Sequence, residues 1–202
     1  MSELNVAVLR DGFTKIVAKL EESAAELNAL DATLGDGDIG VSLLRGGRSL
    51  LTELPSLPSD DLGAAFMRCA QAITSISGST CGTLLAAGLL GTAKKTMGKP
   101  AVPWSEVSGL LAASVEAISR RGKCELGDKT ILDAVEAARR AAEGLTDPGE
   151  IVSASNKAVG EAVEAFRHQA SLQGRARIFP DRSIGNPDPG MVAFKRILEA
   201  LQ

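Results

Sequence analysis

A chain of 202 residues with 45% hydrophobic and 23% charged side chains is long enough to bury a core without disulfides or structural metal. A net charge of −3, 3% aromatic residues and no Tyr argue against the basic, base-stacking surface of a nucleic-acid binder and against attraction to an anionic membrane. Cys69, Cys81 and Cys124 form no C-x-x-C pair, so they read as reduced, mostly buried thiols of a cytoplasmic protein rather than a disulfide framework or zinc knuckle.

The N-terminal MSELNVAVLRDG carries charges within its apolar run and lacks a small-residue cleavage site, so it does not read as a signal peptide. Periodicity is helical almost throughout, Ala is abundant, and no segment alternates cleanly like a strand. EESAAELNALDATL, Glu21 to Leu34, predicts a helix that breaks at LGDGDIG. Asp60 and Asp61 offer N-caps for a helix from Leu62, whose apolar stripe is Leu62, Phe66, Cys69, Ile73 and Ile76. SGSTCGT, Ser77 to Thr83, opens an apolar helix containing LLAAGLLG, a run far too short to span a bilayer. Further breaks fall at MGKPAVP, RRGKCELGDK and LTDPGE. Val159, Val163, Phe166 and Ala170 mark the face of a long helix. A proline-containing loop then leads to Asp188-Pro189, an N-cap and first-turn proline for a last helix striped by Phe194, Ile197, Leu198 and Leu201. The expectation is one all-α domain over residues 1–202, with about eight helices and no interior linker.

LDATLGDGDIGVS, Leu30 to Ser42, places Gly35, Gly37 and Gly40 at the G-x-G-x-x-G spacing of a dinucleotide fingerprint. That fingerprint must follow a strand, and here a helix precedes it. Two carboxylates inside the loop would also repel a bare pyrophosphate, at roughly 3 kcal/mol per charge pair for an effective dielectric of about 20. Asp31, Asp36 and Asp38 instead suit a hard cation such as Mg²⁺ or Ca²⁺, and the spacing does not fit an EF-hand. A simple capped turn between helices, with common D-G dipeptides, is the alternative.

Three other connections bear on this choice. SGSTCGT suits either an anion at a helix N-terminus or close packing of small residues. Arg121, Lys123 and Lys129 in RRGKCELGDKT read as a solvated charged loop. Arg175, Arg177 and Arg182 lie in GRARIFPDRSIGNPDPG, and long loops in compact domains are usually functional. His168, the one histidine, reads as a surface residue of a long helix, which removes His-rich metal sites and makes a Ser-His-Asp triad improbable. Cys81 has no histidine partner near it in sequence to make it a nucleophile.

Taken together, LDATLGDGDIG, GSTCGTLLAAG, RGKCELGDKTILDAVEAA and GRARIFPDRSIGNPDPG resemble, in order and spacing, the DhaL family, the nucleotide-binding part of dihydroxyacetone kinases. The resemblance runs from about Leu30 to the C-terminus. It implies an antiparallel barrel of eight helices with ADP or ATP at one end, held through two Mg²⁺ ions by Asp31, Asp36 and Asp38. Nucleotide contacts carry over to Ile39, Gly40, Val41, Ser42, Thr80, Cys81, Gly122, Ile131, Arg175, Asp188, Pro189 and Gly190. Arg175 is the expected catalytic contact to the phosphates, since phosphoryl transfer rests on positioning and charge neutralisation.

The resemblance also implies partners. A DhaK-like subunit would bind the ketose covalently through a histidine that this chain does not carry. A phosphotransferase-system protein (DhaM-like) would rephosphorylate bound ADP, and a homodimer is left open. An ATP-exchanging ketose kinase subunit and a non-catalytic, metal-stabilised helical interaction module are the alternatives. Two residues depart from the family pattern: Ile39 where a polar residue is usual, and Cys81 where Ser is frequent.

Overall fold

The computed structural model describes residues 3–75 and 78–202. Met1 and Ser2 of the N-terminal run, Ile76 of the apolar stripe and Ser77 of the small-residue turn lie outside the described residues. The fold is mostly helical, as the periodicity predicts. Helix α1 spans Val6–Ala32, α2 Ile39–Glu53, α3 Leu62–Thr74, α4 Thr80–Thr96 and α5 Val107–Gly122. After them come α6 (Ile131–Ala141), α7 (Pro148–Arg167), the one-turn α8 (Pro180–Ser183) and α9 (Pro189–Glu199). The sequence suggests about eight helices; among the described residues there are nine, the additional one being α8, a single turn inside the long loop, too short for any periodicity.

A second departure is a small antiparallel sheet, β1 (Glu3–Asn5) paired with β2 (Ala101–Pro103), with Leu4 opposite Val102. Three residues are too few to display alternation, so composition could not reveal these strands. Val102 is fully buried by this pairing.

Capping explains where several helices begin. Asn5, Asp61, Asp147 and Asp188 each accept a hydrogen bond from an amide of the following first turn, and Thr130 forms a reciprocal capping box with Asp133. Each such cap is worth about 1 kcal/mol. Asp61 and Asp188 are the caps the sequence picks out.

Each helix from α1 to α6 packs on the next in chain order, and α9 returns to α1, α6 and α7. Two buried clusters result. One includes Leu27, Ile39, Leu43, Cys81, Ile118, Ile131, Val159 and Met191; the other includes Val6, Leu50, Leu62, Phe66, Ala93, Val102 and Leu110. The first draws on the end of α1 and the starts of α2, α4, α6 and α9, so the loops between these elements gather above it. All three cysteines are free and buried, as composition suggests. Among the described residues no helix is long and apolar enough to cross a membrane.

Candidate functional site

Asp31 occupies the last turn of α1, and Asp38 is the residue before α2. Between them the chain turns sharply. Gly37 adopts φ +76°, the left-handed region that favours glycine. A Cβ on Gly35 would overlap the Asp31 carboxylate, so that glycine leaves room for the acid. The Asp38 amide donates to Asp31 Oδ2 at 3.0 Å, which fixes the carboxylate's orientation. As a result one carboxylate oxygen from each of Asp31, Asp36 and Asp38 lies within 4.8 Å of the others.

Asp38 stands at the N-cap position, yet its side chain makes no capping bond. Asn28, one turn back on α1, does that work: its Oδ1 accepts from the amides of Gly40 at 2.8 Å and Val41 at 3.3 Å. This frees the Asp38 carboxylate from the job that Asp61, Asp147 and Asp188 perform elsewhere. Asn28 was invisible in the sequence because it sits in ordinary helical periodicity.

Arg175 crosses from the long loop to form an ion pair with Asp36. That guanidinium holds the Asp36 carboxyl below the usual carboxylate range. Three carboxylates against one guanidinium leave two uncompensated negative charges. Like charges this close cost roughly 3 kcal/mol per pair at an effective dielectric of about 20. Hard oxygen donors, convergent and in excess over the local cations, are the ligand set of a hard divalent ion. The residues present therefore fit Mg²⁺.

The cluster forms one wall of a cavity. Lining it are Asp31, Asp36, Asp38 and Ile39 from the α1–α2 junction, Thr80 and Cys81 from the start of α4, and Gly122 from the end of α5. Ile131 at the start of α6, Arg175, and Asp188, Pro189 and Gly190 at the start of α9 complete the set read from the sequence. Gly40, Val41 and Ser42 do not line it. The first two have their amides on Asn28, and the Ser42 amide bonds back to the Asp38 carbonyl. Gly40 has a packing task instead: a Cβ there would run into the Ala24 backbone of α1.

Sequence reasoning missed Leu34, Cys124, Thr130 and Gln173, which also line the cavity. It misjudged Lys129 as well. Arg121 and Lys123 are exposed, but Lys129 is only 1% exposed, so the segment is not uniformly a solvated charged loop. Burial pushes the Cys81 thiol up to about 12, which leaves it inert as a nucleophile at neutral pH. Burial also raises the Asp188 carboxyl to about 6. His168 is exposed at the end of α7 and lies off the cavity.

Comparison with known proteins follows the same lines. A family model described as the DAK2 domain matches residues 33–202. The PTS-dependent dihydroxyacetone kinase, ADP-binding subunit DhaL, of Lactococcus lactis subsp. lactis is 32% identical over 187 residues, covering 93% of this chain and 91% of that protein. L-erythrulose 1-kinase of Mycolicibacterium smegmatis is 28% identical over 98% of this chain, which spans only 35% of that longer protein. Among solved structures, the dihydroxyacetone kinase from C. freundii in complex with AMP-PNP and Mg²⁺ matches with a TM-score of 0.75 at 22% identity. That match covers all of this chain and 34% of the larger one.

Proposed function

Since the chain belongs to the DAK2 domain family, we propose that it is the nucleotide-binding phosphotransferase subunit of a kinase for dihydroxyacetone or a related short ketose. The observation that carries the proposal is the meeting of Asp31, Asp36, Asp38 and Arg175 at one cavity. In this reading the helices form an antiparallel eight-helix barrel, a single domain working in the cytoplasm with the site at one end. The return of α9 to α1 supports that closure.

Asp31, Asp36 and Asp38 would hold two Mg²⁺ ions, and the nucleotide phosphates would face them. When bound, Mg²⁺ supplies charge neutralisation and alignment of the transferred phosphoryl group. The chain's own residues do the rest. Arg175 brings positive charge to the phosphates, where charge develops during transfer. Thr80 and Cys81, small residues at the start of α4, let the ligand approach that helix terminus. Ile39 and Ile131 give the cavity apolar walls that limit water.

The chain's one histidine, His168, is exposed and is not among the residues that line the cavity. A separate DhaK-like subunit presents the acceptor in this proposal. ADP remains bound as a cofactor and is rephosphorylated by a phosphotransferase-system donor, a reading supported by the near full-length match to a protein named as an ADP-binding subunit. Exchange of ATP at each turnover is the second reading, supported by the match to part of an L-erythrulose 1-kinase.

One experiment separates them: purify the protein with Mg²⁺, dialyse, denature, and identify released nucleotide by mass spectrometry. Stoichiometric ADP supports the retained cofactor. An empty protein that binds ATP reversibly supports exchange. Absence of any nucleotide affinity contradicts both and leaves a metal-stabilised interaction module.

A further inference from the structure

Lys129 carries two costs at one position. Its backbone lies at φ +60°, where an L side chain is strained and glycine would be the easy choice. Its side chain is 1% exposed, and burying an ammonium costs several kcal/mol unless hydrogen bonds compensate. They do: Nζ donates to the carbonyls of Ser183 at 2.7 Å, Gln169 at 2.8 Å and Arg167 at 3.4 Å. Three donors meet three carbonyls, and a lysine is the side chain that can do this from one point.

The acceptors are informative. Arg167 and Gln169 lie where the chain leaves α7, and Ser183 ends α8. One ammonium thus joins the two ends of the loop whose tip places Arg175 in the cavity. Two further bonds reinforce this base: Ser171 N–H to Ser183 Oγ at 2.8 Å, and Leu172 N–H to the Asp128 carbonyl at 3.1 Å. The loop has little apolar packing to hold it otherwise, since Leu172, Ile178, Phe179 and Ile184 are all exposed. Its order therefore depends on polar ties: those at its base, Gln173 Nε2 to the Lys123 carbonyl at 3.3 Å, Arg182 to the Thr33 carbonyl at 2.9 Å, and the Arg175–Asp36 pair.

We propose that Lys129 is a positioning residue of the phosphate site, its ammonium closing the base of the 169–183 loop and so holding Arg175 against Asp36. The proposal rests on the nucleotide reading above for its consequence, but not for its geometry. Buried amines of this kind also lose charge more readily than exposed ones, and burial lowers the affinity of Lys129 for its proton.

The test uses K129A and K129M in the full chain, with MgADP binding by calorimetry and trypsin cleavage at exposed Arg175, Arg177 and Arg182 in the ligand-free protein. Both variants should keep their helical circular dichroism while losing on the order of tenfold or more in MgADP affinity, with the loop cut correspondingly faster. K129M refills the volume, so a role in packing alone predicts wild-type behaviour for it. n-Propylammonium, the part of the side chain missing in K129A, should restore loop protection and affinity, whereas n-propanol should not.

K129M with wild-type affinity and a protected loop overturns the proposal. A wild-type chain that fails to bind MgADP overturns the nucleotide reading instead, and the trypsin assay still judges the clamp. If neither variant folds, hydrogen exchange on the wild-type chain decides. The Ser171 and Leu172 amides at the loop base must then exchange as slowly as those of α7, and rapid exchange there refutes the clamp.

Discussion

Asp188 links the stability of this chain to pH. Its carboxylate caps α9 by accepting from the Met191 amide at 2.8 Å, yet burial raises its pKa from 3.8 to about 6. Such a carboxyl holds its proton more tightly in the folded chain than in the unfolded one. Its contribution is fully present below about pH 4 and is lost as pH rises through about 6. Ionising a carboxyl moved that far costs roughly 3 kcal/mol. That cost is already net of the amide bonds from Met191 and Gly190, which favour the anion.

Replacing Asp188 by Asn keeps an oxygen acceptor for Met191 and removes the ionisation. Urea denaturation of D188N and wild type, from about pH 4 to about pH 8, isolates the effect because other titrating groups cancel in the difference. The two proteins should match near pH 4, and D188N should be more stable by about 3 kcal/mol at pH 7. A flat difference, or a D188N that is less stable at pH 7, refutes the reasoning that desolvation raises this carboxyl.

Two other outcomes follow from packing and burial. G40A should lose about 1–3 kcal/mol in thermal or urea denaturation, because its new methyl group meets the Ala24 backbone and forces α2 away from α1; wild-type stability would show that this contact relaxes freely. Cys69, Cys81 and Cys124 should resist a thiol reagent at neutral pH and react together on unfolding, since all three are buried and burial raises each thiol's pKa; rapid modification of the native chain would contradict that burial.

Helical periodicity and caps were open to reading because they are local. Leu62 and Asp61 announce α3 within a few residues of each other, and Asp188-Pro189 does the same for α9. The aspartate cluster was also readable, since Gly35 and Gly37 lie between the acids they serve. Lys129 was not. Among Arg121, Lys123, Glu125 and Asp128 it looks like one more solvated charge, and its burial arises only when the 169–183 loop closes over it. Asn28 was hidden for the same reason: its partners, Gly40 and Val41, reach it only after the chain turns back. The spacing of Gly40 with Gly35 and Gly37 invites a phosphate reading, but the lack of a side chain at Gly40 serves the close contact of α2 with the Ala24 backbone instead.

Calorimetric titration of ADP into nucleotide-free protein, with Mg²⁺ and then with a chelator, tests the central claim most directly. Wild type should bind ADP with Mg²⁺ and lose that binding when the ion is removed, and D36A should fail to bind in either condition. Equal ADP affinity with and without Mg²⁺, or undiminished Mg²⁺-dependent binding by D36A, would contradict the assignment of Asp31, Asp36 and Asp38 as the metal ligands through which the nucleotide is held.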